Sequence, residues 1–169
     1  MLDNLPPLLL AHFIAACLAL PLGLYQLTAT QGTPAHALAG RIYVPTMLVS
    51  NLTALATFSL TDPRFFGFLP FYILALVSLW SLFAGMRSLR RWLRDRQPDD
   101  LKQHKINMAY SWLGLMMAGV SQMLTNQRFG LAEGFEPVTF WTSVVLINVA
   151  LYAIGSWWIF RRLLARQLG

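Results

Sequence analysis

The chain has 169 residues, of which 56% are hydrophobic and only 12% charged, whereas a soluble domain carries about 25% charged residues. The uncharged residues form long runs, so the expected solvent is a bilayer rather than water. A net charge of +6 does not indicate nucleic acid, because the cations sit in short segments between apolar runs, and the single cysteine, Cys17, excludes an intramolecular disulfide framework.

Five apolar segments follow in chain order, each near the ~20 residues a helix needs to cross about 30 Å of hydrocarbon. Helix is the expected form, since lipid offers no partner to an open backbone N–H or C=O. The first segment covers about residues 6–27 and contains His12. It begins Met-Leu-Asp without a basic flank and is long for a signal peptide, so it reads as a retained span. The second covers about 37–60, with Thr33-Pro34 as N-cap and first helical position, which puts His36 in the first turn. Stepping by four and three from His36 gives Gly40, Tyr43, Met47, Ser50, Ala54 and Thr57 on one small, mildly polar face, flanked by Thr46 and Asn51.

The third segment, about 68–89, has few polar groups beyond Ser78 and Ser81. The fourth, about 106–124, follows an amphipathic lead-in that starts at Gln97-Pro98-Asp99-Asp100. Its face runs Asn107, Ser111, Gly114, Ala118 and Ser121, with His104, Met108 and Gln122 on an adjoining line. The fifth, about 138–160, offers Asn148, so the third and fifth segments read as walls. Helix 1 aligns His12 with Ala16, Ala19 and Gly23. Small faces of this kind let helices approach closely in lipid, so the first, second and fourth are expected to look toward one another. Pro21 and Pro45 predict kinks. The fold class is therefore an all-α, polytopic membrane helical bundle of five transmembrane helices, forming one domain over residues 1–169.

Orientation follows from the loops. Arg87, Arg90, Arg91, Arg94, Arg96, Lys102 and Lys105 lie between the third and fourth segments, Arg161, Arg162 and Arg166 in the tail, and Arg41 near the start of the second. These fall on one side and only Arg64 and Arg128 on the other, which predicts an outside N-terminus and a cytoplasmic C-terminus. The expected location is the bacterial cytoplasmic (inner) membrane, multi-pass, with tryptophans mostly anchoring span ends.

No segment holds an Asp or Glu, which argues against an intramembrane aspartyl protease or a carboxylate proton relay. Ionisable side chains at membrane depth are functional candidates by default. His12 falls roughly 9 Å below the outer boundary by helix rise, and an interhelical hydrogen bond to Asn51, Gln122 or Ser121 is its expected role. His36 and His104 sit at the opposite, cytoplasmic boundary on helices that run parallel. Two facing imidazoles suit axial ligation of haem b iron or hydrogen bonding to a quinone. Arg41 and Tyr43 would then bind propionates or steady the charge of a reduced cofactor, and Met108 lies on the His104 line. Zinc would be short of ligands. Interfacial histidines that only cap helices are the plain alternative. Three functions compete: an electron-transfer module, a non-catalytic accessory or assembly subunit of a larger membrane complex, and a lipid-binding protein. The third rests on "RSLRRWLRDR" lying on anionic lipid.

The stretches "HFIAACLALPLGLYQL", "GTPAHALAGRIYV" and "HKINMAYSWLGLMMAG" resemble the three blocks of a prokaryotic membrane-protein family catalogued as domain of unknown function 2306. That pattern has a histidine early in the first helix, a His-x-x-x-Gly-Arg-x-Tyr block, and a later histidine leading into a Met-containing helix. His12, His36 with Gly40, Arg41 and Tyr43, and His104 with Met108 occupy the matching positions over about residues 10–124. The resemblance implies an integral membrane protein and no particular activity. Membrane-bound b-type cytochromes, also small and histidine-centred, bind haem, but with four histidines where this chain has three; that comparison is one of fold only.

Overall fold

The computed structural model describes residues 6–56, 65–125 and 137–165. Five α-helices occur in order: α1 (Pro7–Thr28), α2 (Pro34–Ala56), α3 (Phe65–Asp95), α4 (Pro98–Thr125) and α5 (Pro137–Ala165). Each expected segment is a helix, and no strand occurs among the described residues. Among the described residues three helices are long and apolar enough to cross a membrane by themselves: Pro7–Thr28, Leu69–Asp95 and Val138–Arg161. Residues 57–60, at the end of the second expected span, and Arg64, Arg128 and Arg166 lie outside the described residues.

The helix ends follow local chemistry. Pro7 occupies the first position of α1, where a missing N–H costs nothing. Thr33 caps α2 as expected: its Oγ1 accepts from the His36 amide at 3.2 Å and its carbonyl from Ala37 at 3.0 Å. Both Pro21 and Pro45 lie inside continuous helices. α3 and α4 overrun the expected spans, and only Arg96 and Gln97 separate them. Arg96 adopts a left-handed φ of 55°, the usual way to end a helix sharply. Its guanidinium sits 4.7 Å from the Trp92 ring centroid, and Arg91 Nε donates to Asp100 Oδ1 at 2.8 Å across the corner. The basic "RSLRRWLRDR", expected in the connection between the third and fourth segments, is thus the continuation of α3 as far as Asp95. Hydropathy marks where hydrocarbon ends; a helix can continue past that point into water.

The chain divides into two compact units, residues 1–115 and 116–169, the boundary falling within α4. In the first, α1 to α4 all contribute to a core of Ala19, Tyr43, Met47, Leu82 and Leu115, against which Leu20, Met108 and Trp112 pack. The stripes expected to face inward do so: Ala19 and Gly23 of α1, Tyr43, Met47 and Ser50 of α2, and Ser111 and Gly114 of α4 are buried. Gly23 is needed because the Trp112 indole lies directly on it; Trp112 Nε1 donates to the Leu20 carbonyl at 2.9 Å. Trp112 is therefore an interhelical donor rather than a span-end anchor. In the second unit, Asn148 Nδ2 donates to Ser121 Oγ at 2.6 Å and to the Val144 carbonyl at 2.8 Å, and Arg161 lies over Trp157.

Candidate functional site

Polar side chains of the first unit are used mainly to stitch helices together. His12 Nδ1 donates to the Ser50 carbonyl (2.9 Å), Gln26 Nε2 to the His36 carbonyl (2.7 Å), Ser78 Oγ to the Ser111 carbonyl (3.0 Å), and His104 Nδ1 to the Gly85 carbonyl (2.9 Å). These carbonyls already serve their own helices and accept these bonds in addition, and that of Ser50 also accepts from Thr53 Oγ1 at 3.0 Å. In lipid such bonds contribute roughly 0.6–2 kcal/mol each. They also set register. Ser78 and Gly85 are seven residues apart on α3, and their partners Ser111 and His104 are seven apart on α4, running the other way.

Halfway along the bundle, side chains of three helices join. Ser111 Oγ donates to the Met108 carbonyl at 2.8 Å, so the 2.9 Å contact with Tyr43 Oη is a bond that the phenol donates. Asn51 Nδ2 donates to the Met47 carbonyl at 2.8 Å and to Ser78 Oγ at 3.3 Å. All four side chains, Tyr43, Asn51, Ser78 and Ser111, are buried. The wall expected of α3 is corrected here: Ser78 links α2 to α4, and Ser81 and Ser88 are buried too. A lone serine carries no sequence signal for this, although its seven-residue spacing to Gly85 on one face does.

The Tyr43–Ser111 bond defines how α2 and α4 align. His36 lies seven residues before Tyr43, and His104 seven before Ser111. Seven residues is nearly two full turns, so on parallel helices both histidines return to the contact face at one level, about 10 Å toward the N-terminal ends of α2 and α4. They lie within electrostatic reach of each other. Both are half-buried. With His104 Nδ1 donating to Gly85, its Nε2 carries the lone pair when the ring is neutral. His36 Nδ1 is buried and has no hydrogen-bond partner among the described residues.

Both rings lie outside the apolar spans, and burial lowers both pKa values. For His36, Lys105 adds to that effect. For His104, the bond to Gly85 opposes it, while His36 and Lys105 reinforce it. A histidine held below its unfolded value of about 6.5 binds fewer protons folded than unfolded between those two values. Stability is then fully present above about pH 6.5 and falls as pH drops toward the lowered folded values. Thermal unfolding in detergent should show this decline as pH is lowered below about 6.5. A His36→Gln/His104→Gln variant should show a flatter profile; an equal slope would place the titration elsewhere.

The other candidate residues are dispersed. Arg41, one turn beyond His36, is exposed, while Tyr43 is committed to Ser111. Met108 rests on α3, where Gly85 leaves room for its thioether. His12 makes the interhelical bond expected of it, but to the Ser50 backbone, with Thr53 Oγ1 at 3.4 Å, rather than to Asn51, Gln122 or Ser121. Gln122 is exposed. Among the described residues no group of three or more His, Cys, Asp or Glu side chains is placed to hold a metal ion. Gln26, Gly85 and Trp112 were not singled out by the sequence, since each acts through a close approach or a bond to main chain.

A family model described as "Predicted membrane protein (DUF2306)" matches residues 9–159, which extends into α5. No curated protein and no solved structure matches the chain.

Proposed function

The chain belongs to the DUF2306 family of predicted membrane proteins, and on that premise we propose that it is a redox module holding b-type haem between His36 and His104. The observation that carries this reading is the shared register of the two histidines below the Tyr43–Ser111 bond. Haem brings four nitrogens of its own, so a pair of imidazoles is a complete protein ligand set. Ligating histidines commonly donate their second ring N–H to a carbonyl, which orients the ring and raises its basicity. The His104–Gly85 bond has that form. When bound, the iron supplies one-electron chemistry. The chain's own part is to hold both rings: Gln26 ties down the first turn of α2, Gly85 and Met108 seat the start of α4, and Tyr43 with Ser111 aligns the two helices. Arg41, exposed at the same end, is the proposed partner of a propionate.

In this reading all five helices cross the bacterial inner membrane, the N-terminus is outside, and the histidine pair faces the cytoplasmic side. A quinone is the second ligand to consider, favoured by the unpartnered His36 Nδ1, which suits a quinol hydroxyl. Detergent-purified protein from haem-replete cells is expected to show a Soret band that a His36→Ala/His104→Ala variant lacks. Co-purified quinone that disappears in the same variant, without a Soret band, would shift the assignment to quinone. Neither chromophore nor quinone would overturn the redox reading.

A further inference from the structure

We infer that the outward edge of α3 is a binding face for an anionic diacyl phospholipid. This face lies apart from the histidine pair's contacts with α3 at Gly85. Stepping by four and three from Leu69 gives Ile73, Leu76, Trp80, Phe83, Arg87, Arg90 and Arg94, all of them exposed. The opposite face, with Ala75, Ser78, Leu82 and Gly85, is buried. One edge of one helix therefore changes from apolar to cationic without changing direction.

The change falls at a meaningful depth. From Leu69 to Arg87 the helix rises about 27 Å, close to the ~30 Å of a hydrocarbon core. Acyl chains would lie along Ile73, Leu76, Trp80 and Phe83, and a phosphate would meet the guanidiniums where the apolar stripe stops. The Trp80 indole, 76% exposed in the middle of this stripe, gives a broad flat surface to acyl chains rather than an interfacial anchor.

The arginines differ in availability. Arg91 is bound to Asp100 and Arg94 to Asp95. Arg87 and Arg90 have no carboxylate partner among the described residues, and they are exposed one and two turns past Phe83. Guanidinium recognises phosphate by paired donors, and each basic residue near an anionic surface adds an attraction equivalent to about fivefold enrichment. A lipid is the fitting anion, because the same edge supplies the apolar half of the contact; free phosphate would gain nothing from it.

The test uses the full chain in vesicles of phosphatidylcholine containing phosphatidylglycerol, with bromine on the acyl chains of one lipid or the other. The Trp80 contribution is the fluorescence difference between wild type and Trp80→Phe. Brominated phosphatidylglycerol should quench it roughly twofold or more beyond brominated phosphatidylcholine at equal mole fraction. Arg87→Gln/Arg90→Gln should abolish that preference, and Arg94→Gln, which removes an already paired guanidinium, should largely keep it. Equal quenching by both lipids in the wild type overturns the inference without reference to any variant. So does a preference that survives the double substitution.

Discussion

Gly23→Leu is expected to destabilise the first unit by about 2–4 kcal/mol, a large share of the roughly 5–15 kcal/mol that holds a typical domain together. A Cβ on Gly23 would overlap Cδ1 of Trp112 and fall 2.9 Å from its Cγ and Nε1. The indole cannot retreat freely, because its N–H is bound to the Leu20 carbonyl three residues earlier on the same helix. Overpacking costs about 1–3 kcal/mol, and loss of the Trp112 bond adds roughly 0.6–2 kcal/mol. Even Gly23→Ala should be harmful, since the first added atom already overlaps. Unfolding in detergent by added SDS would measure this, and a cycle with Trp112→Ala would identify the cause. The Gly23→Ala/Trp112→Ala pair should lose less than the two single variants added together. A neutral Gly23→Ala, or strict additivity, would mean that α1 and α4 do not meet through this contact.

The second large effect is expected at Gly85, where packing and site geometry coincide. A Cβ there would lie 2.9 Å from Met108 Sδ, 3.1 Å from Met108 Cγ and 3.4 Å from Asn107 Cβ. The thioether is flexible enough to move for one methyl, so Gly85→Ala should be mild. Gly85→Leu should cost about 1–3 kcal/mol and push α4 outward at this level. That shift would stretch the His104–Gly85 bond, now 2.9 Å, which orients the imidazole. Under the proposed haem reading, Gly85→Leu should lose most of the Soret band and Gly85→Ala should keep it. Adding Met108→Ala to Gly85→Leu makes room and should restore part of both stability and absorbance. If stability falls and the chromophore stays, the Gly85 carbonyl does not position His104.

The two outcomes concern different parts of the histidine pair's support. Gly23 and Trp112 hold α1 against α4, close to the level of Tyr43, and so act on the alignment from which both histidines take their depth. Gly85 acts on His104 alone. Loss of absorbance in Gly85→Leu with unchanged Gln26–His36 contact would therefore assign the failure to one ligand rather than to collapse of the bundle.

Much of the architecture was legible in the residues because the relevant signals are local or periodic. Long uncharged runs marked all five helices. Thr33-Pro34 marked the start of α2. Helical stepping found the inward faces, including Tyr43, Met47, Ser50 and Ser111, because in lipid small and mildly polar side chains are retained where helices meet. The same stepping put His36 and His104 at matching depth once α2 and α4 were taken as parallel.

Tertiary structure decided the partners and the register. Of the donors, His12, Ser78 and His104 stood out in the sequence and Gln26 and Trp112 did not, and the acceptors are the carbonyls of Ser50, His36, Ser111, Gly85 and Leu20. Every residue carries the same carbonyl, so no side-chain pattern marks which one is used. Only the rotation and spacing of neighbouring helices select it. The extensions of α3 and α4 were hidden for a related reason: apolarity reports the solvent around a helix, whereas helicity continues as long as the backbone bonds do, until Arg96 turns the chain. The sequence by itself determined a histidine-bearing helical membrane protein with its small faces turned inward. The packed helices determined that α3 joins the buried polar network and that the Tyr43–Ser111 bond sets α2 against α4.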